Sequence, residues 1–269
     1  MHRSITHLSF ADWVYFIFDH PAEGRQWYWA DDAPFWNGPS ALTAEYVSRI
    51  FEEPLPTLEG CSDAELNMGL NYLISPGLGE HMRCLDDPSV PLAARLGCVQ
   101  ACESLFRKLF LPRCSPHLSH RDEPGRSPLN AVCYMWWDIM PVYGGPRLED
   151  RYALHRAALD VMATVLDFES LACAESALHG LGHWHRAYPE RVEGLIDGFL
   201  AWAMSTSCRR SDRGRSSPTS FNPTRCPWFA SPIRQAAQRP PAGTRAQPYA
   251  ASAVCVLVGP AINCDDSVI

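Results

Sequence analysis

Residues 172–200 read ACAESALHGLGHWHRAYPERVEGLIDGFL. Ala174, Ala177, Leu178, Leu181 and Trp184 recur at intervals of three and four, which lays them along one face of a helix over about residues 170–186. Pro189 then opens a second helix, because a missing N–H costs nothing in the first turn. Val192, Leu195, Ile196, Phe199 and Leu200 form the inner face of that second helix. Gly180, Gly182, Gly194 and Gly198 lie inside these segments. Each costs about 1 kcal/mol relative to Ala in a helix interior. Close approach is the way to recover that loss, so 171–186 and 189–203 are expected to form a tight antiparallel pair.

The same periodicity extends toward the N-terminus. Leu148, Tyr152, Leu159, Met162 and Leu166 predict a helix over 147–166, and Val132, Cys133, Trp136 and Trp137 fall in another over 129–140. The clearest helix spans 89–110, with Leu92, Leu96, Val99, Leu105, Phe106, Leu109 and Phe110 inward and Pro112 as its stop. Ser62 and Glu65 make a capping box ahead of Leu66, Leu70, Leu73 and Ile74. Leu42, Tyr46, Val47, Ile50 and Phe51 share a face ahead of Pro54 and Pro56, and Ser9 caps a short helix reaching Asp19. Residues 21–39 gather Trp27, Tyr28, Trp29, Phe35 and Trp36 among prolines and glycines, which predicts an aromatic loop without regular structure. No convincing strand precedes residue 250. The expected fold is therefore all-α, a single helical domain over residues 9–203.

Composition bounds the function. The chain has 269 residues, 46% hydrophobic and 20% charged, which provides a sizeable core and excludes a wholly disordered chain. No apolar run approaches the roughly 18 residues of a membrane span. The apolar run from Trp13 to Phe18 is short and flanked by Asp12 and Asp19, unlike a secretory signal. The 11 cysteines show no paired spacing, and Cys98 and Cys102 share a helix face. They are expected to be small buried hydrophobes in a cytoplasmic protein.

The net charge of −7 averages two unlike pieces. Residues 1–204 carry 15 basic and 27 acidic side chains, a balance of −12, whereas 205–269 carry 8 and 3, a balance of +5. The second piece has no Glu or Lys and Leu257 as its single leucine. Its Ser, Arg, Pro, Ala and Thr fit a disordered basic tail, and equally an out-of-frame translation of GC-rich DNA, over 204–269. The acidic body repels nucleic acid, leaving only Arg209, Arg210, Arg213 and Arg215 for phosphate.

Three clusters carry possible chemistry. Glu175, His179 and His183 recur every four residues, so a helix sets them in one row, with His185 close behind. Two histidines one turn apart chelate zinc, and a carboxylate completes or orients such a site. Zinc proteases need Glu directly after the first His, where Gly180 stands, so hydrolysis lacks its usual base. The alternative is a packed helix with satisfied histidines and no metal. Cys114, His117 and His120, with Cys133 as a fourth ligand, form a second zinc candidate, set against a mobile surface loop. Trp136, Trp137 and Asp138, together with Trp184, are candidates for a partner-binding surface. Two adjacent tryptophans on a helix cannot both face one core, so one is expected to meet the 21–39 loop or a partner. Gly-rich phosphate loops and Gly-x-Ser-x-Gly are absent from the sequence, and no small-molecule substrate is indicated.

The 172–200 unit resembles a HEAT-type helical repeat, in which a first helix ends in an Ala-Leu-x-x-Leu-Gly pattern and a second packs after a short turn. Ala177, Leu178, Leu181 and Gly182 match the first helix, and Val192, Leu195 and Ile196 the second. The likeness covers about 171–203 and extends loosely over 89–166, with no repeat period along the whole chain. It implies an α-solenoid that binds protein partners. The leading expectation is a non-enzymatic cytoplasmic scaffold without cofactor. The alternative is a zinc-binding protein or metal-dependent hydrolase built on Glu175, His179 and His183.

Overall fold

The caps identified in the sequence start two helices. Ser9 Oγ accepts the Asp12 N–H at 3.2 Å, opening α1 (Phe10–Phe18). The Glu65 N–H donates to Ser62 Oγ at 3.2 Å while the Ser62 N–H donates to the Glu65 carboxylate at 2.7 Å, opening α3 (Asp63–Ile74). Between them lies α2 (Ser40–Glu52). These elements belong to a computed structural model that describes residues 4–55, 57–121, 123–142 and 149–211. Further along come α4 (Leu92–Leu105), a π-helical turn (Phe106–Phe110) and α5 (Leu111–Arg113). They are followed by α6 (Leu129–Ile139), α7 (Glu149–Leu166), α8 (Leu171–Trp184) and α9 (Pro189–Ser211). The protein is all-α, and none of these helices is long and apolar enough to cross a membrane.

Pro112 does not end the long helix where expected. A proline ring collides with the carbonyl four residues back in a regular α-helix. Here that carbonyl belongs to Lys108, inside the wider π-helical turn, and the chain continues helically to Arg113.

Internal contacts divide the chain into two units, 1–180 and 181–269, and the division falls inside the unbroken helix α8. In the first unit α4 packs between α2 and α7, while α3 packs against α1 and α6. Small side chains let α2 and α4 meet: Cys98 Sγ donates to the Ala44 carbonyl, and Ser48 Oγ donates to Cys98 Sγ, both at 3.2 Å. Arg95 is buried yet satisfied. Its Nε donates to the Val90 carbonyl at 2.9 Å, and its Nη2 meets the Asp150 carboxylate of α7 at 2.6 Å.

Trp136 ties the helices together. Its ring lies 5.4 Å from Phe51, 6.1 Å from Phe106 and 5.5 Å from Phe110. Trp137 stacks on Phe106 at 5.9 Å. Both tryptophans are fully buried, which corrects the expectation that only one of them faces a core. The physical reason is that α6 is enclosed on several sides, so neighbouring positions on the helix both find protein.

The 21–39 segment is more regular than predicted. Trp27–Trp29 form a 3-10 turn, and β2 (Phe35–Trp36) pairs in parallel with β1 (Ser4–Ile5). Strands of two residues are too short to leave an alternating pattern. The segment packs on α1 and α3 rather than on Trp136 or Trp137. Trp27 stacks on His20 at 4.1 Å and meets Phe16 and Tyr72 at 5.4 and 4.6 Å. Tyr152, expected inside, is 52% exposed, while Leu159, Met162 and Leu166 are buried as predicted; Leu148 lies outside the described residues.

In the second unit α9 runs on to Ser211, past the boundary expected at 203. Val192 and Phe199 are buried. Gly194 and Gly198 do not mediate a close helix approach, because nothing lies within 4 Å of where a Cβ would stand on either. Both are on the exposed side of α9. The expectation of a disordered or out-of-frame segment concerns residues that, beyond Ser211, lie outside those described.

Candidate metal centre

His179 and His183 lie one turn apart on α8, as the sequence row requires. Asp138, from the last turn of α6, joins them: one ligand atom from each of the three lies within 4.8 Å of the other two. Asp138 is exposed, His179 buried and His183 half-buried, so the group sits at the protein surface with its histidine end inward. Among the described residues it is the group of three or more His, Cys, Asp or Glu with ligand spacing.

Three contacts bring α6 to α8. The Ser176 hydroxyl donates to the Cys133 carbonyl in a short hydrogen bond, and Cys133 Sγ donates to the Ala172 carbonyl at 3.8 Å. Gly180 completes the approach, since a Cβ there would stand 2.6 Å from Trp137 Cβ. That glycine follows His179 directly, and Trp137 directly precedes Asp138. Its missing side chain therefore draws together the two neighbours that matter. The Tyr134 ring stacks on the His179 imidazole at 4.2 Å and 28°, which fixes the plane of the ring.

Glu175 is not part of this group, which corrects the sequence row. Its carboxylate accepts the Ser119 N–H at 2.8 Å and the His120 N–H at 3.2 Å, and lies 2.6 Å from His120 Nδ1. Positions four apart on an α-helix drift by about 40°. Glu175 and His183 thus point about 80° apart, and Glu175 meets the 119–121 turn instead. Asp138 takes the carboxylate position that Glu175 was expected to fill.

The second zinc candidate does not assemble. His120 is paired with Glu175, and the group with ligand spacing among the described residues contains none of Cys114, His117, His120 and Cys133. Asn130 pins that loop, its Nδ2 donating to the Ser115 and His117 carbonyls at 3.0 Å. His185 is not in the group and lies 3.0 Å from Glu193. The candidate partner-binding tryptophans Trp136, Trp137 and Trp184 are all buried, so their rings serve the core rather than an outside surface; Asp138 alone of that set is exposed.

One buried histidine lies outside all of these clusters. His81 is fully buried, with neither ring nitrogen hydrogen-bonded, among Trp13 at 5.5 Å, Trp36 at 6.2 Å and Tyr72 at 5.4 Å. Burial in this aromatic nest pushes its pKa down to about 3. Only the contacts reveal it, because a lone histidine between Glu80 and Met82 carries no spacing pattern.

Comparison with protein-family models, with curated proteins and with solved structures gives no match to this chain.

Proposed function

We propose that this protein binds a divalent transition-metal ion, zinc by preference, through Asp138, His179 and His183. The observation that carries the proposal is the gathering of two imidazoles and a carboxylate from α6 and α8 within 4.8 Å. Nitrogen and oxygen donors of this kind suit zinc. Ligands on a tetrahedral ion at about 2.0–2.1 Å stand roughly 3.4 Å apart, so closing the site takes a rotation of the exposed Asp138 side chain. Three protein ligands leave a fourth position open to solvent or substrate, the arrangement of a catalytic rather than a structural site. Glu175 is not its general base, since that carboxylate is already committed to Ser119 and His120.

The test is elemental analysis and calorimetry on the full chain. Stoichiometric zinc that is lost in His179→Ala, His183→Ala and Asp138→Asn supports the assignment. Zinc retained by all three variants, or no uptake by the wild type, overturns it.

A second reading is a protein-interaction role on a HEAT-like helix pair. The order of α8, a short turn and α9, matching the 172–200 pattern, supports it. It expects a metal-free protein whose partner contacts survive the same three substitutions.

A further inference from the structure

α1 contributes two rows of side chains to a cleft in the first unit. Phe10, Val14 and Phe18 recur every four residues and make one row; Ala11, Tyr15 and the C-cap Asp19 make the next. The cleft holds about 550 Å³ between these rows, Arg49 of α2, Glu65 of α3 and the loop that carries Cys61. Small-molecule sites run to roughly 300–1,000 Å³ and combine an apolar lining with a few polar groups. Here Val14 and Phe18 are the buried apolar lining, whereas the Tyr15 ring is 68% exposed. The cleft shares no residue with the Asp138, His179 and His183 group.

Its charges set the kind of ligand it takes. The Arg49 guanidinium lies over the Phe10 ring, 3.9 Å from the centroid, so its positive charge already rests on an aromatic face. Asp19 and Glu65 set two carboxylates against that one cation. Glu65 accepts the Ser62 N–H at 2.7 Å through Oε2 and keeps its negative charge. Arg113 donates to the Cys61 carbonyl at 2.8 Å, but Asp63 balances it at 2.8 Å. The cleft is therefore acidic on balance, within a body that carries −12 over residues 1–204.

We propose that this cleft binds a small organic cation, a protonated amine on an aromatic or branched apolar body. The body lies against Val14 and Phe18, where burial of apolar surface is favourable. The ammonium lies at the edge formed by Asp19 and Glu65, where charge-assisted hydrogen bonds are the strong ones. The Tyr15 ring offers the same cation an aromatic face. An organic anion of equal size meets net repulsion instead.

The experiment titrates the full chain with phenethylammonium and with 3-phenylpropionate, in EDTA so that the metal centre plays no part. Calorimetry reads affinity, and timed alkylation by iodoacetamide, mapped by mass spectrometry, reads occupancy at the half-buried Cys61. Phenethylammonium has few non-hydrogen atoms, so saturable binding in the millimolar range is expected. It should protect Cys61 and leave the alkylation rate of Cys114, which lies outside the cleft, unchanged. The carboxylate analogue should bind at least about tenfold more weakly, because it reverses the sign of a charge pair. Asp19→Asn combined with Glu65→Gln should weaken the amine by about tenfold, since each such pair is worth up to roughly fivefold. Glu65→Gln retains the capping box, and Asp19 is exposed, so the fold persists. Ala11→Trp, at an exposed lining position, should fill the space and abolish binding. Absence of binding by the wild type overturns the proposal. So does an affinity for 3-phenylpropionate that equals or exceeds that for the amine, or amine binding that survives Ala11→Trp.

Discussion

His120 Nδ1 stands 2.6 Å from the Glu175 carboxylate, with only 9% and 3% of the two side chains exposed. This pair fastens the 119–121 turn to α8 and explains why Glu175 lies apart from the neighbouring histidines. Glu175→Gln puts an amide among donors that need an acceptor. It should destabilise the protein by about 2–4 kcal/mol in urea unfolding, because a buried network loses one partner while the others stay buried. Zinc uptake by Asp138, His179 and His183 should persist in the folded variant. Loss of zinc there would return Glu175 to the ligand set.

Tyr134 is buried and its ring lies against His179. Tyr134→Ala removes that support, so the imidazole must surrender rotational freedom when a metal binds. Zinc affinity, read by competition with a chromophoric chelator, should fall by roughly 10-fold, the lower range for residues that orient ligands. An unaltered affinity would show that His179 is positioned by its helix alone.

Gly180→Ala sets two effects against each other. Helix propensity favours Ala by about 1 kcal/mol. The added Cβ would lie 2.6 Å from Trp137 Cβ, an atom next to the backbone of a fully buried residue, which has no room to move. Overpacking of this kind costs about 1–3 kcal/mol, so a net loss of stability is expected in thermal melts. Zinc affinity should fall too, as α6 is pushed away from α8. A raised melting temperature would contradict this account of the helix approach.

His81 gives stability an acid slope. Its pKa is about 3 in the folded protein against an ordinary 6.5. Between those values the unfolded chain binds a proton that the folded chain refuses. Stability is therefore lost as pH falls through 6.5 toward 3, by up to about 1.4 kcal/mol per pH unit, and the group contributes nothing to the slope above 6.5. His81→Phe, which suits the nest of Trp13, Trp36 and Tyr72, should flatten the slope between pH 6 and 4 in urea titrations. An identical slope in the variant would place the acid sensitivity elsewhere.

Sequence alone determined where α1, α3 and α9 begin. Ser9, Ser62 and Pro189 act through hydrogen bonds or steric rules that span only a few residues, so they are decided locally and the structure repeats them. The one-turn spacing of His179 and His183 is local in the same way. Tertiary structure decided what each face meets. Asp138 is remote in sequence from both histidines and reaches them only because α6 and α8 approach at Gly180. Glu175, one turn from His179, is drawn to His120 by the turn packed over it. Trp136 and Trp137 are both buried because α6 has neighbours on more than one side. Periodicity fixes the angle at which a side chain leaves its own helix, but the partner at that angle depends on how distant segments pack.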